Sequence, residues 1–157
     1  MTTWVIDASA INRVADESAD YNATFAGMTS LVESGALTFP DHVLDELERT
    51  AGSGPGRVWS NAVKSARISA GASYAGQIAT AHSVEEIVDP DDLHDAAVQV
   101  LAQARDLSEA SDDDVVVVTE DTVDKPTRIA LSEGCDRSGI TWVSVDVMLA
   151  RCGIKFD

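Results

Sequence analysis

A chain of 157 residues, of which 45% are hydrophobic, is long enough to form one domain with its own core, and this excludes a disordered protein. It carries 27 acidic and 11 basic residues, a formal net charge of −16, and no apolar run as long as a membrane span. Cys135 and Cys152 lack a CxxC spacing, and the first residues lack the basic and apolar regions of a secretory signal. We therefore expect a cytoplasmic protein with free thiols and no membrane contact.

The acidic excess is typical of salt-adapted, haloarchaeal-like proteins. Asp outnumbers Glu by 18 to 9, and lysine occurs only at Lys64, Lys125 and Lys155. Concentrated salt screens the repulsion between surface carboxylates, so such a surface is tolerated there. The alternative is an ordinary acidic cytosolic protein. Under the salt-adapted interpretation the negative charge does not exclude RNA binding, because basic-patch binding is weak in high salt anyway.

The first half of the chain is predicted to contain two short strands, each followed by helical segments. In chain order these are a strand over residues 3–7, a polar helix or loop over 12–20, a helix over 23–33, a strand over 36–39, and a helix over 42–50 with Asp41 as its N-cap. The run Gly52-Ser53-Gly54-Pro55-Gly56 is a breaker that we assign to a loop within the same domain.

The second half is predicted to contain more helix and two further strands. In chain order these are a helical region over 57–71 and 73–81, a helix from Asp91-Asp92 to about 106, an acidic loop over 108–114, a strand over 115–119, a helix over 126–132, a strand over 140–144 and a helix over 146–151. The apolar stripe of the long helix comprises Leu93, Ala97, Val100, Leu101 and Ala104. This order predicts an α/β fold, a three-layer α/β/α sandwich with a parallel central sheet, in one domain over residues 1–157.

Two of the predicted strands end on a carboxylate. Asp7 follows the apolar run Trp4-Val5-Ile6, and Asp121 follows the run of four valines before Thr119-Glu120. An ionised Asp next to a buried strand is costly unless it is paired or binds a cation, although a strand-end Asp is also a common turn or helix cap. Because parallel strands open on the same edge of a sheet, the two carboxylates are expected to lie close together.

Further acids lie on the two helices that flank the predicted site. Asp45, Glu46 and Glu48 share one helix, and periodicity alone does not choose between Glu46 and Glu48. Asp91, Asp92 and Asp95 lie in the first turn of another helix, where acids are also favoured by the helix dipole without any function.

A cluster of carboxylates without His or Cys favours Mg²⁺ or Mn²⁺, which prefer oxygen ligands. Such a site supports hydrolysis of phosphodiesters. The three histidines show no ligand spacing, and no Walker loop, GxGxxG or GxSxG motif is present.

In these motifs the chain resembles the PIN-domain ribonucleases, which include VapC-type toxins and archaeal ribosomal-RNA-processing nucleases. The matching segments are Val5-Ile6-Asp7-Ala8-Ser9, Pro40 through Leu47, Asp95-Ala96-Ala97-Val98 leading to Leu101-Ala102, Val116 through Asp121, and Gly139-Ile140 to Val145 with the short helix after it. Each motif is short, and their order along the chain is more specific than any one of them.

The resemblance implies a catalytic and metal-binding quartet of Asp7, Glu46, Asp95 and Asp121. Glu46 is preferred over Glu48 because the family's acid is followed directly by an apolar residue, here Leu47. Ser9 and Thr119 are similar to hydroxyls that orient such ligands.

The resemblance also implies an Mg²⁺- or Mn²⁺-dependent endoribonuclease with an RNA substrate, often dimeric, and in the toxin case an antitoxin protein as partner. The segment 108–114 lengthens the path from Asp95 to Asp121, so Asp92 stays open as the third acid. Arg57, Lys64 and Arg67 are either a sparse basic stripe for a phosphate backbone or ordinary surface charges.

Two other functions remain open. The first is a PIN-like scaffold without catalysis that binds RNA or a protein partner. The second is an unrelated α/β metal phosphohydrolase acting on a small phosphate ester, against which the lack of a phosphate-cradling Gly loop argues.

Overall fold

Four parallel strands form the central sheet of the computed structural model, which describes residues 1–92 and 94–157. They are β1 (Thr2–Ile6), β2 (Leu37–Thr38), β3 (Asp114–Val118) and β4 (Thr141–Val143), in the sheet order β2-β1-β3-β4. The register pairs Val5 with Val117 and Ile6 with Val118, so β1 and β3 end side by side. Leu93, which the sequence placed on an apolar stripe, lies outside the described residues.

Both faces of the sheet are covered. Successive side chains of a strand point to opposite faces, yet Trp4, Val5 and Ile6 of β1 are all buried, as are the four valines of β3. A strand that is apolar on both faces is stable only between two layers, which explains why these runs do not alternate with polar residues.

Eight α-helices accompany the strands among the described residues. They are α1 (Ala8–Glu17), α2 (Tyr21–Glu33), α3 (Asp41–Ala51), α4 (Pro55–Val63), α5 (Tyr74–Ser83), α6 (Ala97–Ala110), α7 (Leu131–Arg137) and α8 (Val145–Arg151), with short 3₁₀ turns at Lys64–Ala66 and Glu85–Ile87. The predicted three-layer α/β/α fold with a parallel central sheet is confirmed. None of the helices over residues 1–92 and 94–157 combines the length and the apolar character that crossing a membrane requires.

The helix predicted from Asp91 begins later, at Ala97. The reason is a series of local hydrogen bonds, in which the carboxylates of Asp89, Asp92 and Asp95 each accept the backbone N–H two residues further on. Such bonds compete with the helical pattern. Asp95 therefore lies before the helix and not in its first turn.

The helix predicted over residues 126–132 is also wrong. Residues Lys125 and Arg128 instead form an isolated bridge, with the Lys125 N–H donating to the Arg128 carbonyl at 2.9 Å, and α7 begins only at Leu131. The loop between β3 and α7 thus folds back on itself, and this brings Arg128 into the interior.

In the first half, one prediction differs from the structure, and one of the two alternatives left open for the bases is favoured. The N-cap of α3 is Pro40, and Asp41 binds Arg67 at 2.7 Å rather than capping the helix. Arg67 is itself nearly buried, and Arg57 pairs with Glu48, so these two side chains do not form an open basic stripe with Lys64.

Candidate metal centre at the carboxyl edge of the sheet

A cavity of about 240 Å³ opens where β1 and β3 end. All four acids of the predicted quartet line it, although they come from four separate segments of the chain. The lining residues are Asp7, Ser9, Glu46, Asp95, Ala96, Ala97, Asp121, Lys125, Arg128 and Leu131.

Asp7 is the buried base of this cavity, with 6% of the residue exposed. It is the N-cap of α1, and its carboxylate accepts hydrogen bonds from the Ala10 N–H at 2.9 Å, Ser9 Oγ at 2.7 Å and Thr119 Oγ1 at 2.5 Å. Burial raises the pKa of Asp7 to about 6; the three hydrogen bonds oppose this rise, and the charge of Asp121 adds to it.

Thr119 and Ser9 join the end of β3 to the start of α1. The Asp121 N–H donates to Thr119 Oγ1 at 2.9 Å, and the Glu120 N–H donates to Ser9 Oγ at 2.9 Å. Both hydroxyls also donate to Asp7, so they hold its carboxylate and the chain around Asp121 in one fixed arrangement. Their predicted contact with an acid of the quartet is observed.

Glu46 reaches the cavity from α3. It lies three residues after Val43 and one before Leu47, both fully buried, so its side chain is near the apolar face of the helix and only 20% exposed. The Glu48 side chain is 63% exposed and pairs with Arg57 on the surface. The helix therefore brings Glu46, and not Glu48, to the cavity.

The Glu46 carboxylate accepts no hydrogen bond from the described residues, and its nearest ionic partner is Arg49, with Nη2 at 3.9 Å from Oε1. Burial raises the pKa of Glu46 to about 7, and the charges of Asp7 and Asp95 raise it further, against smaller opposing effects of Arg49 and Lys125. A cation beside this carboxylate would relieve both its burial and the repulsion from its neighbours.

Asp95 is held at the cavity wall. One carboxylate oxygen accepts the Ala97 N–H at 3.0 Å, and the other is ion-paired with Arg128 Nε. The alternative third acid, Asp92, does not line this cavity and pairs instead with Arg49 at 3.5 Å.

Asp92 belongs to a second group of acids next to the cavity. One carboxylate oxygen from each of Asp89, Asp92 and Asp95 lies within 4.8 Å of the others, a spacing that could hold a metal ion. Across residues 1–92 and 94–157 this is the one triad with that spacing, so the quartet shares a cavity without being drawn together to ligand distance.

Three basic residues around the acids were not identified from the sequence. Arg128 pairs with Asp95 and Asp121, Arg49 lies between Glu46 and Asp92, and Lys125 lines the cavity mouth. A usable signal was the rarity of bases: two of only 11 lie within seven residues of Asp121. Because residues 126–132 were predicted to be a helix, this proximity of Arg128 to Asp121 was not used.

The donor set fits a hard divalent cation. The quartet offers carboxylate oxygens, and no His or Cys of residues 1–92 and 94–157 lines the cavity. The two acids with raised pKa, Asp7 and Glu46, are those without a close cationic partner, which is the electrostatic condition that favours binding of Mg²⁺ or Mn²⁺.

Fold and site together define an α/β/α protein with an acidic cavity at the carboxyl edge of a parallel sheet. The family model described as a domain of unknown function, DUF4411, matches residues 4–156, and the chain belongs to that family. No curated protein matches the chain.

Proposed function

We propose that this protein is a metal-dependent endoribonuclease of the PIN type. The observation that carries the proposal is the convergence of Asp7, Glu46, Asp95 and Asp121 on one cavity, with the pKa of Asp7 and of Glu46 raised above their ordinary values. Crowded carboxylates of this kind are unfavourable unless a cation or a proton compensates them.

Mg²⁺ or Mn²⁺, held by these carboxylates, would supply an activated water and neutralise charge on the phosphoryl oxygens. The protein's own contribution is positional. Ser9 and Thr119 fix the Asp7 carboxylate, and Lys125 at the cavity mouth provides a positive charge for the phosphate of the incoming RNA. Hydrolysis then cleaves one phosphorus–oxygen bond of the RNA backbone, with water as the second reactant.

The test is cleavage of single-stranded RNA in high-salt buffer with Mn²⁺, comparing the wild type with Asp7→Asn, Glu46→Gln and Asp121→Asn. Each change removes one negative charge and keeps the side-chain shape, so we expect activity to fall at least 100-fold with unchanged circular dichroism. Glu48→Gln is the matched control, since it is the same change on the same helix outside the cavity. Full activity in all three cavity variants would contradict the proposal.

A second candidate is a PIN-like scaffold without catalysis. The observation in its favour is that Arg128 already neutralises part of the acid cluster and that both oxygens of Asp95 are engaged. Calorimetric titration with Mn²⁺ separates the two functions, since a scaffold of this kind would bind no ion in the cavity. Cleavage of small phosphate esters but not of RNA would instead favour a metal phosphohydrolase.

The roles as a toxin of a toxin–antitoxin pair, as a homodimer and as a protein of a salt-adapted organism stay predictions. An adjacent reading frame for a small antitoxin-like protein would support the first of these. Copurification of that protein with this chain would test it directly.

A further inference from the structure

Arg128 is a buried cation inside the acidic cavity. Its side chain is 2% exposed, Nη2 lies 2.7 Å from Asp121 Oδ2, and Nε pairs with Asp95 Oδ2. Its remaining nitrogen, Nη1, donates to the Ile129 carbonyl at 2.7 Å. All three guanidinium nitrogens are therefore engaged, and the side chain cannot leave without exposing two acids to each other.

The guanidinium divides the quartet into two unequal halves. Asp95 and Asp121 share a cation at close distance. Within the part of the chain that the structure describes, Asp7 receives only neutral donors, and Glu46 has a single arginine nitrogen at 3.9 Å. The uncompensated negative charge is thus concentrated on the side of Asp7 and Glu46.

The charges limit how many ions the cavity can take. With all four acids ionised, the two bases that line the cavity, Arg128 and Lys125, leave a net charge of −2, which one divalent ion brings to zero, whereas two ions would make it +2. A positive site of that kind is strongly unfavourable in a partly buried environment. Arg128 occupies the space between Asp95 and Asp121 and already compensates both of these carboxylates.

We propose that the cavity binds a single divalent ion. Arg128 supplies the positive charge that a second ion would otherwise supply, and as a positioning residue it holds the carboxylates of Asp95 and Asp121 in place. This inference rests on the proposed function, because it presupposes that the quartet binds metal. It adds the number of ions and assigns a role to a residue outside the quartet.

The experiment is a Mn²⁺ titration of the full chain by calorimetry, with bound Mn²⁺ counted by electron paramagnetic resonance. We expect one ion in the wild type, lost in Glu46→Gln, and a second ion in Arg128→Gln, lost again when Asp121→Asn is added. Arg128→Lys, which keeps a positive charge, is the matched control and should bind one ion.

Arg128→Gln leaves two buried carboxylates without their partner, so we expect its metal-free form to have a lower melting temperature than the wild type. In that case Mn²⁺ should raise its melting temperature more than it raises that of the wild type. The double variant Asp95→Asn with Arg128→Gln removes one of the two carboxylate charges together with the arginine, so it should be more stable than Arg128→Gln and should bind only one ion.

Two ions in the wild type, one or both of them lost in Glu46→Gln, would overturn the inference while supporting metal binding. The inference would also be overturned if Arg128→Gln bound the same number of ions as the wild type and Mn²⁺ raised the melting temperatures of the two proteins equally. A wild type that binds no Mn²⁺ at all would instead refute the proposed function, and the inference with it.

Discussion

Thr119 Oγ1 lies 2.5 Å from Asp7 Oδ2, although the two residues are 112 positions apart in the chain. The contact exists because β1 and β3 are neighbours in register, with Ile6 opposite Val118. The segments that follow the two strands both lie at the cavity. The same hydroxyl accepts the Asp121 N–H at 2.9 Å. One side chain therefore fixes two of the four acids.

Replacing Thr119 by valine should destabilise the protein. The substitution leaves the buried Asp7 Oδ2 and the Asp121 N–H without their partner, which costs about 1–3 kcal/mol in free energy of unfolding. Urea denaturation of metal-free protein at pH 8 measures this cost. Thr119→Ser keeps the hydroxyl and serves as the control, and equal stability of the two variants would contradict the assigned role of the hydrogen bond.

Glu46→Gln should stabilise the metal-free protein at pH 8. The pKa of Glu46 is about 7 in the folded protein, above the 4.5 of an unperturbed glutamate, so between these values the folded state binds more protons than the unfolded state. The free energy of unfolding therefore falls as the pH rises through this window, and the glutamine variant avoids this loss. We expect a gain of about 1–3 kcal/mol at pH 8 and little difference at pH 4.5.

Urea denaturation of the wild type and of Glu46→Gln in EDTA, from pH 4.5 to pH 8, tests whether the free energy of unfolding of the wild type falls relative to that of the variant as the pH rises. Asp7 contributes a slope in the same direction, between 3.8 and about 6, and it is common to both proteins. Glu48→Gln is again the control. A Glu46→Gln variant that is less stable than the wild type at pH 8 would show that the carboxylate is compensated in the metal-free state.

Lys125→Ala should weaken RNA binding without altering the fold. Lys125 is exposed at the cavity mouth. Among the described residues, no carboxylate oxygen lies within 4.0 Å of its ammonium nitrogen, so it forms no ion pair with them. Losing one phosphate contact lowers the magnitude of the salt-dependence slope for single-stranded RNA by about 0.7.

Fluorescence anisotropy over a range of KCl concentrations measures this slope, in a Glu46→Gln background where cleavage is expected to be at least 100-fold slower. Lys155→Ala is the matched control, because Lys155 is exposed but does not line the cavity. Identical slopes for the two lysine variants would argue against a substrate contact at Lys125.

Gly134→Ala should destabilise the protein, although in a helix alanine is by itself about 1 kcal/mol more favourable than glycine. A Cβ at Gly134 of α7 would lie 2.6 Å from Ile87 Cδ1, and Ile87 is fully buried. The forced repacking costs about 1–3 kcal/mol.

The double variant with Ile87→Val removes the clashing methyl group, so its loss of stability should be smaller than the sum of the two single losses. Chemical denaturation of the four proteins closes this cycle. Additive losses would mean that α7 does not pack against the 3₁₀ turn at Glu85–Ile87 as described.

The layered fold could be predicted from local patterns. Runs such as Trp4-Val5-Ile6 and the four valines of β3 are apolar at every position, and only a sheet covered on both faces buries such a run completely. The position of Asp7 and Asp121 beyond these strands followed from the same reasoning, because parallel strands end at a common edge. Glu46 was selected by its resemblance to a family motif, and its helical position agrees.

Other features depend on contacts that no local pattern contains. The sequence favoured a helix at Asp91 and another at Pro126, but side chains of Asp89, Asp92 and Asp95 bond to the backbone nearby, and the loop after β3 closes through Lys125 and Arg128. Composition and periodicity describe how one residue relates to its neighbours in the chain. The burial of Arg128 between Asp95 and Asp121 arises only when segments 33 positions apart meet, since the charge of each partner is tolerable in the interior only in the presence of the other.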